Sequence, residues 1–320
     1  MGSIADVPGI RVGHAENKEA LTGCTVVLAG EGMVCGVDVR GSAPGTRETD
    51  LLAPVNAVEE VHAVVLSGGS AFGLQAATGA MDYLEEQGKG LETGYAHVPI
   101  VPSAILYDLS VGDASVRPDR EMGYRACQAA DVHVPVGNVG AGCGATVGKA
   151  LGMDRAMKAG LGTASVRLPD GLIVGAIVAV NAYGHVVDPA TGKILAGPRG
   201  EDGTILDSVQ LMRRSGKEQN AFPGMNTTIG VVATNAKLSK TRATKVAQMA
   251  HDGLARTTFP AHTMLDGDTL FALAGGEIQA SVDLVGALAA NVVAEAIVQG
   301  VTSATGVKGL PAAGDLWYKE

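Results

Sequence analysis

The sequence predicts an α/β protein in which helices pack in layers against sheets with substantial antiparallel pairing. Short β-branched runs alternate with helical patterns from end to end, and several pairs of runs are spaced as hairpins. The chain is 46% hydrophobic but only 3% aromatic, so its core must consist mainly of Ala, Val, Leu and Ile. The hairpins fit a doubly wound Rossmann sheet poorly, because that sheet is built from parallel strands.

Composition narrows the class of protein before any motif is considered. The 320 residues correspond to one large domain or two ordinary ones, and 18% of them are charged. This balance excludes a disordered chain. The net charge of −9, without a compensating Lys/Arg cluster, argues against nucleic acid as a partner. A soluble globular enzyme is the leading class.

The sequence also predicts where the protein works. The first residues lack the basic and apolar regions of a secretory signal. The apolar run 171–180 is too short to span a bilayer, and 281–300 carries Asp283 and Glu295, so it indicates a buried helix. The four cysteines show no CxxC spacing. We therefore expect a cytoplasmic protein with buried free thiols, no membrane contact and no metal site.

In the first half of the chain, short apolar runs predict strands and longer periodic segments predict helices. The predicted elements are a hairpin of strands 24–29 and 33–39, a buried strand at 61–66, helices at 71–87 and 119–130, and a strand at 132–136. We expect Ser70 to be the N-cap of the first helix, and Gly88 to end it.

The second half alternates in the same way around a turn-rich, charged stretch. The predicted elements are a hairpin of strands 162–168 and 171–181, a helix at roughly 203–214, a strand at 227–234, a helix beginning behind Ser239, and a helix at 281–299. Residues 215–225 lack periodicity, so we expect an exposed and mobile segment there. The last helix is apolar nearly all round, and we expect it to lie between two layers.

The glycine-rich segment 137–149 invites comparison with phosphate-binding loops. It fails as a Walker A loop, because Cys143 stands at the first glycine position and Lys149 is followed by Ala150. It also lacks the acidic residue that a dinucleotide fingerprint places about twenty residues downstream. Tight packing, or main chain close to a small ligand, is the simpler interpretation. A buried site would lower the pKa of Lys149.

The candidate catalytic residues lie at the ends of predicted strands or in turns. Taken singly, Asn226-Thr227-Thr228 is an ordinary strand start, Asn181 an ordinary turn residue, and Asp266-Gly267-Asp268 an ordinary hairpin turn. Together with Lys149, they supply the parts of an N-terminal-nucleophile hydrolase. Such an enzyme needs a hydroxyl freed by chain cleavage, an amine as base, an amide for the oxyanion, and orienting carboxylates.

At this point the sequence resembles a known family over essentially its full length. The motifs that carry the resemblance are Asp6–His14, Ser67–Leu74, Ser103–Asp108, Gly148-Lys149, Asn226–Ile229 and Asp266–Phe271. It resembles the L-aminopeptidase/D-esterase family, which includes β-peptidyl aminopeptidases and nylon-oligomer endo-hydrolases. Several ordered motifs together make this resemblance specific.

The resemblance implies a precursor that cuts itself before its nucleophile. Here the cut would fall between Asn226 and Thr227, dividing a single domain (1–320) into an α chain (1–226) and a β chain (227–320). It implies a four-layer αββα sandwich, related to other N-terminal-nucleophile hydrolases but with different connectivity, and a homo-oligomer, usually a tetramer of αβ pairs. Threonine in place of the commoner serine, with the Asp-Gly-Asp triplet, favours the nylon-oligomer branch.

The resemblance also implies roles for individual residues, without a metal or cofactor. The freed α-amine of Thr227 would accept the hydroxyl proton, and Lys149 would keep that amine neutral. Asn181, with Tyr107, would donate to the oxyanion. Asp266 and Asp268 would orient the nucleophile or receive a substrate ammonium. We expect the substrate to be a small amide or peptide, with Gly69, Ser70 and Asn138 lining its cleft.

Three alternatives stay open. Within the family, an aminopeptidase/D-esterase or β-peptidyl aminopeptidase is the alternative to hydrolysis of 6-aminohexanoate oligomers. Acetyl transfer between ornithine and glutamate on a related fold also uses a self-generated threonine. A glycine-rich binding protein that never matures would be the non-enzymatic alternative.

Overall fold

A computed structural model describes residues 2–215, 226–307 and 309–317 of the chain. The strands are β1 Arg11–Asn17, β2 Thr22–Leu28, β3 Val34–Val39, β4 Thr46–Arg47, β5 Ala63–Ser67, β6 Leu91–Glu92, β7 His97–Val98, β8 Ser103–Ile105, β9 Thr146–Val147, β10 Met157–Lys158, β11 Leu161–Arg167, β12 Ile173–Ala179, β13 His185–Val187, β14 Ile194–Ala196, β15 Ile229–Ala236, β16 Thr258–Phe259 and β17 Thr269–Ile278. The α-helices are α1 Ala76–Glu86, α2 Arg120–Gln128, α3 Ser208–Ser215, α4 Lys240–Thr257, α5 Val282–Thr302 and α6 Ala313–Trp317. Short 3₁₀ helices span Ile4–Asp6, Asp50–Leu52, Ser70–Gln75, Gly140–Gly142, Lys149–Leu151 and Met153–Arg155.

Two five-stranded sheets dominate the fold. Sheet I has the strand order β1-β2-β5-β8-β4, and sheet II has the order β11-β12-β15-β17-β3. Neighbouring strands are antiparallel in both sheets, except for the parallel pairs β5–β8 and β15–β17. The predicted antiparallel character is therefore confirmed.

The layers follow from three apolar clusters. Helices α1 and α2 pack on the outer face of sheet I, and α4 and α5 pack on the outer face of sheet II. The inner faces of the two sheets meet through branched side chains such as Val27, Leu66, Ile177 and Val231, together with Phe271. Because strand side chains alternate between faces, each sheet is covered on both sides. The resulting order is the predicted αββα sandwich.

The two long helices begin where the sequence predicts. The Ser239 and Ser281 hydroxyls accept hydrogen bonds from the main-chain N–H groups of Arg242 and Leu284. By length and composition alone, α5 would be able to cross a membrane, but most of it is buried inside the protein. The expectation that α5 lies between two layers is wrong, because it forms an outer layer with one stripe of its surface exposed.

Three other predictions are wrong. Strands β2 and β3 do not pair as a hairpin, because β2 pairs with β1 and β5 in sheet I while β3 pairs with β17 in sheet II. Residues 132–136 form no strand, since Val132 is 63% exposed and Pro135 has no N–H to give to a ladder. Ser70 does not cap α1, because residues 70–75 first form a 3₁₀ helix.

Several local predictions are confirmed. Gly88 follows the end of α1 with a left-handed backbone (φ +65°). Strands β11 and β12 form the predicted hairpin, in which Gly171 has φ +90°. Helix α3 begins at Ser208, later than expected. The segment expected to be mobile falls, from 216 to 225, outside the described residues. The four cysteines are free and buried.

Candidate active site

The predicted catalytic residues meet at one edge of sheet II. Strands β15 and β17 are parallel neighbours, so their starting ends lie side by side, and a bridge between Asn226 and Asp266 extends the pair beyond those ends. Strand β12 runs antiparallel to β15, so its final residues reach the same edge and place Asn181 there. The topology therefore brings together three segments that are far apart in sequence.

Thr227 lies against the peptide bond that precedes it. Its hydroxyl donates a hydrogen bond of 2.6 Å to the carbonyl oxygen of Asn226, and its main-chain N–H donates to the carbonyl oxygen of Asn181 at 2.8 Å. The Asn226 carbonyl oxygen also accepts the N–H of Gly267 at 2.9 Å. Thr227 is only 1% exposed. A hydroxyl and an oxyanion-type donor thus converge on one carbonyl group.

Gly267 must lack a side chain for this arrangement to exist. A Cβ atom at this position would lie 2.9 Å from the Thr227 hydroxyl oxygen and 2.7 Å from the carbonyl oxygen of Ala43. Both distances are shorter than real Cβ contacts. The sequence gives Gly267 no role beyond a turn, because a main-chain donor leaves no signature in the residue type.

Lys149 is buried beside Asn181. Its Nζ donates to the Asn181 side-chain oxygen at 2.8 Å and to the Asn181 main-chain oxygen at 3.4 Å. Burial lowers the pKa of Lys149 to about 7, against the opposing effect of the carboxylates of Asp266, Asp108 and Asp268. The expectation that a buried site lowers this pKa is confirmed, and the amine can exist in its neutral form near neutral pH.

Asn181 links several parts of the site. Its side-chain oxygen also accepts the N–H of Thr146 at 3.1 Å, and its amide donates to the main-chain oxygen of Tyr107 at 3.1 Å. Its main-chain oxygen receives both Lys149 and the N–H of Thr227, so the two nitrogen atoms share one acceptor. Tyr107 joins the cluster through its carbonyl group. In the uncut chain, Gly267 and not Asn181 donates to the carbonyl oxygen before Thr227.

Asp266 and Asp268 accept hydrogen bonds from different residues at this edge of sheet II. Asp266 accepts both the N–H (2.7 Å) and the hydroxyl (2.6 Å) of Thr263, and burial together with the nearby Asp268 raises its pKa. Asp268 accepts the N–H of Thr228 at 2.8 Å and the ring N–H of His262 at 2.9 Å. No sequence pattern pointed to His262, which is one of seven histidines scattered along the chain.

The predicted cleft residues divide into two groups. Gly69 and Ser70 donate main-chain hydrogen bonds to Asp108 (2.7 Å) and Leu106 (3.0 Å), the residues that flank Tyr107. Asn138 instead exchanges two hydrogen bonds with the main chain of Thr305, beyond the end of α5. Neither of these hydrogen bonds joins Asn138 to Thr227, Lys149, Asn181 or the two aspartates. Over the described ranges, no group of three or more His, Cys, Asp or Glu residues is placed to hold a metal ion.

A family model and known proteins match this chain over most of its length. The model of peptidase family S58 matches residues 2–313. A Mycobacterium tuberculosis protein named as an uncharacterized aminopeptidase is 45% identical over 350 aligned residues, covering 99% of this chain and 98% of that protein. The 6-aminohexanoate-oligomer endohydrolase of a Kocuria species is 34% identical, covering 85% of this chain and 75% of that enzyme.

A solved structure supports the fold. The L-aminopeptidase D-Ala-esterase/amidase of Ochrobactrum anthropi, described as a new variant of the N-terminal-nucleophile hydrolase fold, superposes with a TM-score of 0.69. The superposition covers 95% of this chain and 86% of that one at 20% identity. The chain therefore belongs to peptidase family S58 and is a hydrolase of amide bonds.

Proposed function

We propose that this protein is a self-cleaving amidohydrolase whose nucleophile is the hydroxyl of Thr227. The precursor would cut itself between Asn226 and Thr227, giving chains 1–226 and 227–320. One observation carries the proposal: the hydroxyl lies 2.6 Å from the oxygen of the carbonyl group it would attack, and the N–H of Gly267 already holds that oxygen. A nucleophile and an oxyanion donor on one carbonyl are the minimum for acyl transfer.

Self-cleavage would proceed through an ester. The Thr227 oxygen attacks the Asn226 carbonyl carbon and gives its proton to a base, while Gly267 stabilises the negative charge on the carbonyl oxygen. The bond to the Thr227 nitrogen then breaks, and that nitrogen takes a proton. Water hydrolyses the ester, leaving a carboxylate on Asn226 and a free hydroxyl on Thr227. We assign the role of this base to Lys149, because burial lowers its pKa to about 7.

After the cut, Thr227 would carry its own base. An α-amine has an ordinary pKa of ~7.7–8.0, so it can accept the hydroxyl proton near neutral pH. The Thr227 nitrogen and Lys149 Nζ share the Asn181 oxygen, and a second positive charge so close would be disfavoured. Lys149 would therefore help to keep the new amine neutral, as the resemblance implies.

Turnover would repeat the same chemistry on a substrate amide. The Thr227 oxygen takes the acyl group, the leaving nitrogen receives the proton held by the α-amine, and water then releases the acid. The departure of Asn226 would free the N–H of Gly267 for the substrate carbonyl. Asn181, whose side-chain amide is held by the carbonyl oxygen of Tyr107, is a candidate second donor, and Asp266 is a candidate partner for a substrate ammonium.

We propose amide bonds of short peptides or 6-aminohexanoate oligomers as the substrates. The endohydrolase relative favours the oligomers, whereas the more similar mycobacterial relative is named as an aminopeptidase. Membership of a peptidase family favours hydrolysis over acetyl transfer. We further propose that the processed pairs assemble as a homo-oligomer, in the cytoplasm.

The first test is the covalent state of the purified protein. Intact-mass spectrometry should show chains 1–226 and 227–320 for the wild type, and one uncut chain without amidase activity for Thr227→Val. Thr227→Ser retains a hydroxyl and should still cleave. Thr228→Val is the matched control, because the Thr228 hydroxyl is buried with no hydrogen-bond partner among the described residues; this variant should cleave normally.

The second test is a panel of amides offered to the cleaved enzyme. The panel contains α-peptides, β-peptides, D-amino acid esters and amides, and 6-aminohexanoate oligomers, and amine release is measured. Turnover of any amide that Thr227→Val does not hydrolyse supports the proposal. A fully active wild-type preparation that consists of one unbroken chain would refute it.

A further inference from the structure

Behind Asp268, on the side away from Thr228, lies a histidine that the proposed mechanism does not use. His262 directs two donors at one oxygen of Asp268: its ring Nδ1 at 2.9 Å and its main-chain N–H at 3.1 Å. The other oxygen of Asp268 accepts the N–H of Thr228 at 2.8 Å. Thr228 directly follows the nucleophile, so only the Asp268 carboxylate separates His262 from the strand end that carries Thr227.

The backbone of His262 is adapted to this double contact. His262 has φ +57°, a left-handed conformation that is unfavourable for a residue with a side chain. In this turn the ring N–H and the main-chain N–H reach the same carboxylate oxygen. An ionised carboxylate can accept hydrogen bonds but cannot donate them, so Nδ1 of His262 carries the proton. Nε2 is then buried, with no hydrogen-bond partner among the described residues.

A second histidine supports the ring of His262. The rings of His251 and His262 meet edge to face with centroids 4.8 Å apart, and His251 is fully buried. Nε2 of His251 donates to the carbonyl oxygen of Asp38 at 3.0 Å, since a carbonyl can only accept. The Asp38 carboxylate pairs with Arg40, whose main-chain N–H returns to the carbonyl oxygen of Asp268 at 3.0 Å. The imidazole therefore has little freedom to rotate away.

We propose that His262 is a positioning residue for amide hydrolysis, acting through Asp268 on the strand end that presents the Thr227 hydroxyl. The inference rests on the proposed role of Thr227 as nucleophile. If His262 released Asp268, the carboxylate would lose two of its three described hydrogen bonds, and Thr228 would lose a fixed partner. The nucleophile would then sample more orientations, which lowers kcat more than substrate binding.

The test uses an isosteric pair of substitutions. His262→Asn keeps a donor close to the position of Nδ1, whereas His262→Asp replaces the donor with a carboxylate that repels Asp268; Asn and Asp both tolerate a left-handed backbone. We expect His262→Asn to keep kcat within about threefold of the wild type, and His262→Asp to lose about a hundredfold, with KM changed less than kcat in both variants. These measurements use the self-cleaved protein with both of its chains, 1–226 and 227–320.

Two further variants separate the donor from the backbone. His262→Gly removes the donor but relaxes the left-handed turn, so its kcat should fall between those of the Asn and Asp variants. Glu48→Gly relaxes another left-handed residue whose side chain is exposed, and it should retain wild-type kcat. Circular dichroism and thermal melting identify any variant that does not fold, and the His262→Asn and His262→Gly comparison then replaces the isosteric pair.

The outcomes distinguish this inference from the function on which it rests. Wild-type enzyme that neither cleaves itself nor hydrolyses amides refutes the role of Thr227. Wild-type enzyme that does both, with equal kcat for His262→Asn and His262→Asp, refutes the positioning role alone. The same conclusion follows if the loss appears in KM and not in kcat.

Discussion

At the scale of single residues, the site contains the buried side chain of Lys149, although lysine is seldom buried in proteins. Lys149 sits on a 3₁₀ turn behind Gly148, whose left-handed backbone (φ +74°) brings it against Gly197 and Pro198. A Cβ atom at Gly148 would lie 2.1 Å from the carbonyl carbon of Gly197. Glycine at this position therefore allows the lysine to enter the site, and burial then lowers its pKa.

The pH dependence of self-cleavage tests whether the neutral form of Lys149 is the base. If the neutral amine takes the Thr227 proton, the cleavage rate of the uncut chain should rise about tenfold per pH unit below pH 7 and level off above it. Precursor made by cell-free synthesis at pH 5.5 and shifted to higher pH gives this rate by mass spectrometry. Lys149→Arg should remain uncut at every pH, because guanidinium stays protonated.

The exposed lysine Lys245 on α4 supplies the control. Lys245→Arg should reproduce the wild-type profile. Cleavage of Lys149→Arg at the wild-type rate would show that a positive charge at this position is sufficient, and that Lys149 is not the base.

Sequence alone was enough to nominate most of the residues that the fold brings together. Lys149, Asn181, Asp266 and Asp268 were found because their chemistry is visible in the residue type and because they lie at strand ends. Gly267 was missed, since every residue except proline has a main-chain N–H. His262 was missed because its role depends on one left-handed turn, which the sequence does not reveal.

At the scale of elements, glycine sets how closely α5 approaches sheet II. A Cβ atom on Gly162 of β11 would lie 2.0 Å from the main-chain oxygen of Ala296 and 2.4 Å from the nitrogen of Gly300, both in α5. Both neighbours are backbone atoms, so neither can move away without shifting the helix. The same contact helps to bury the small side chains that α5 presents to the sheet.

Gly162→Ala should therefore destabilise the fold by about 1–3 kcal/mol, the usual cost of overpacking. Gly314→Ala in α6 is the matched control, because a Cβ atom there meets no other heavy atom within 4 Å. Urea denaturation in a Thr227→Val background, which excludes self-cleavage, measures the free energy of unfolding of both variants. Equal stability of the two would contradict the close approach of α5.

Local sequence patterns predicted where strands lie better than they predicted which strands pair. The runs at β2 and β3 are strands, as expected, but the short connection between them, which predicts a hairpin, does not pair them. In the structure, Gly30 of this connection approaches Gly9, and the chain passes from sheet I to sheet II. Pairing depends on which strands arrive from distant parts of the chain, such as β17 beside β3, and local periodicity does not contain that information.

At the scale of the whole molecule, a second buried lysine links stability to pH. Lys158 is fully buried, and its Nζ donates to the carbonyl oxygens of Gly142 and Ala145, each at 3.0 Å, and to that of Ala159. Burial lowers its pKa to about 7, from an ordinary value of 10.5. Between these two values the unfolded chain holds a proton that the folded chain has released, so stability rises with pH.

The free energy of unfolding should therefore rise between pH 7.5 and 9.5 more steeply with Lys158 than without it. The difference in slope between Thr227→Val and Thr227→Val/Lys158→Met should be about 1.4 kcal/mol per pH unit. Lys149, whose pKa is also lowered, is present in both proteins, so its contribution cancels. Parallel slopes would show that Lys158 stays charged throughout this range.

The layer order was accessible from sequence through the resemblance, whereas residue patterns alone indicated only layered helices and antiparallel sheets. Two parallel pairs, β5–β8 and β15–β17, escaped those patterns. The second pair matters most, because it aligns the starts of β15 and β17 and so lets Asp268 accept the N–H of Thr228, the residue after Thr227.

The contact between the Thr227 hydroxyl and the carbonyl just before it joins two atoms of one molecule. Activation by that contact would obey first-order kinetics, so the half-life of the uncut chain would be the same in a dilute cell extract as in a concentrated stock. Self-cleavage would need no other protease, and inhibitors of other proteases would not delay it. The first acyl transfer of each polypeptide would be on its own chain, and hydrolysis of the resulting ester would make the cut irreversible.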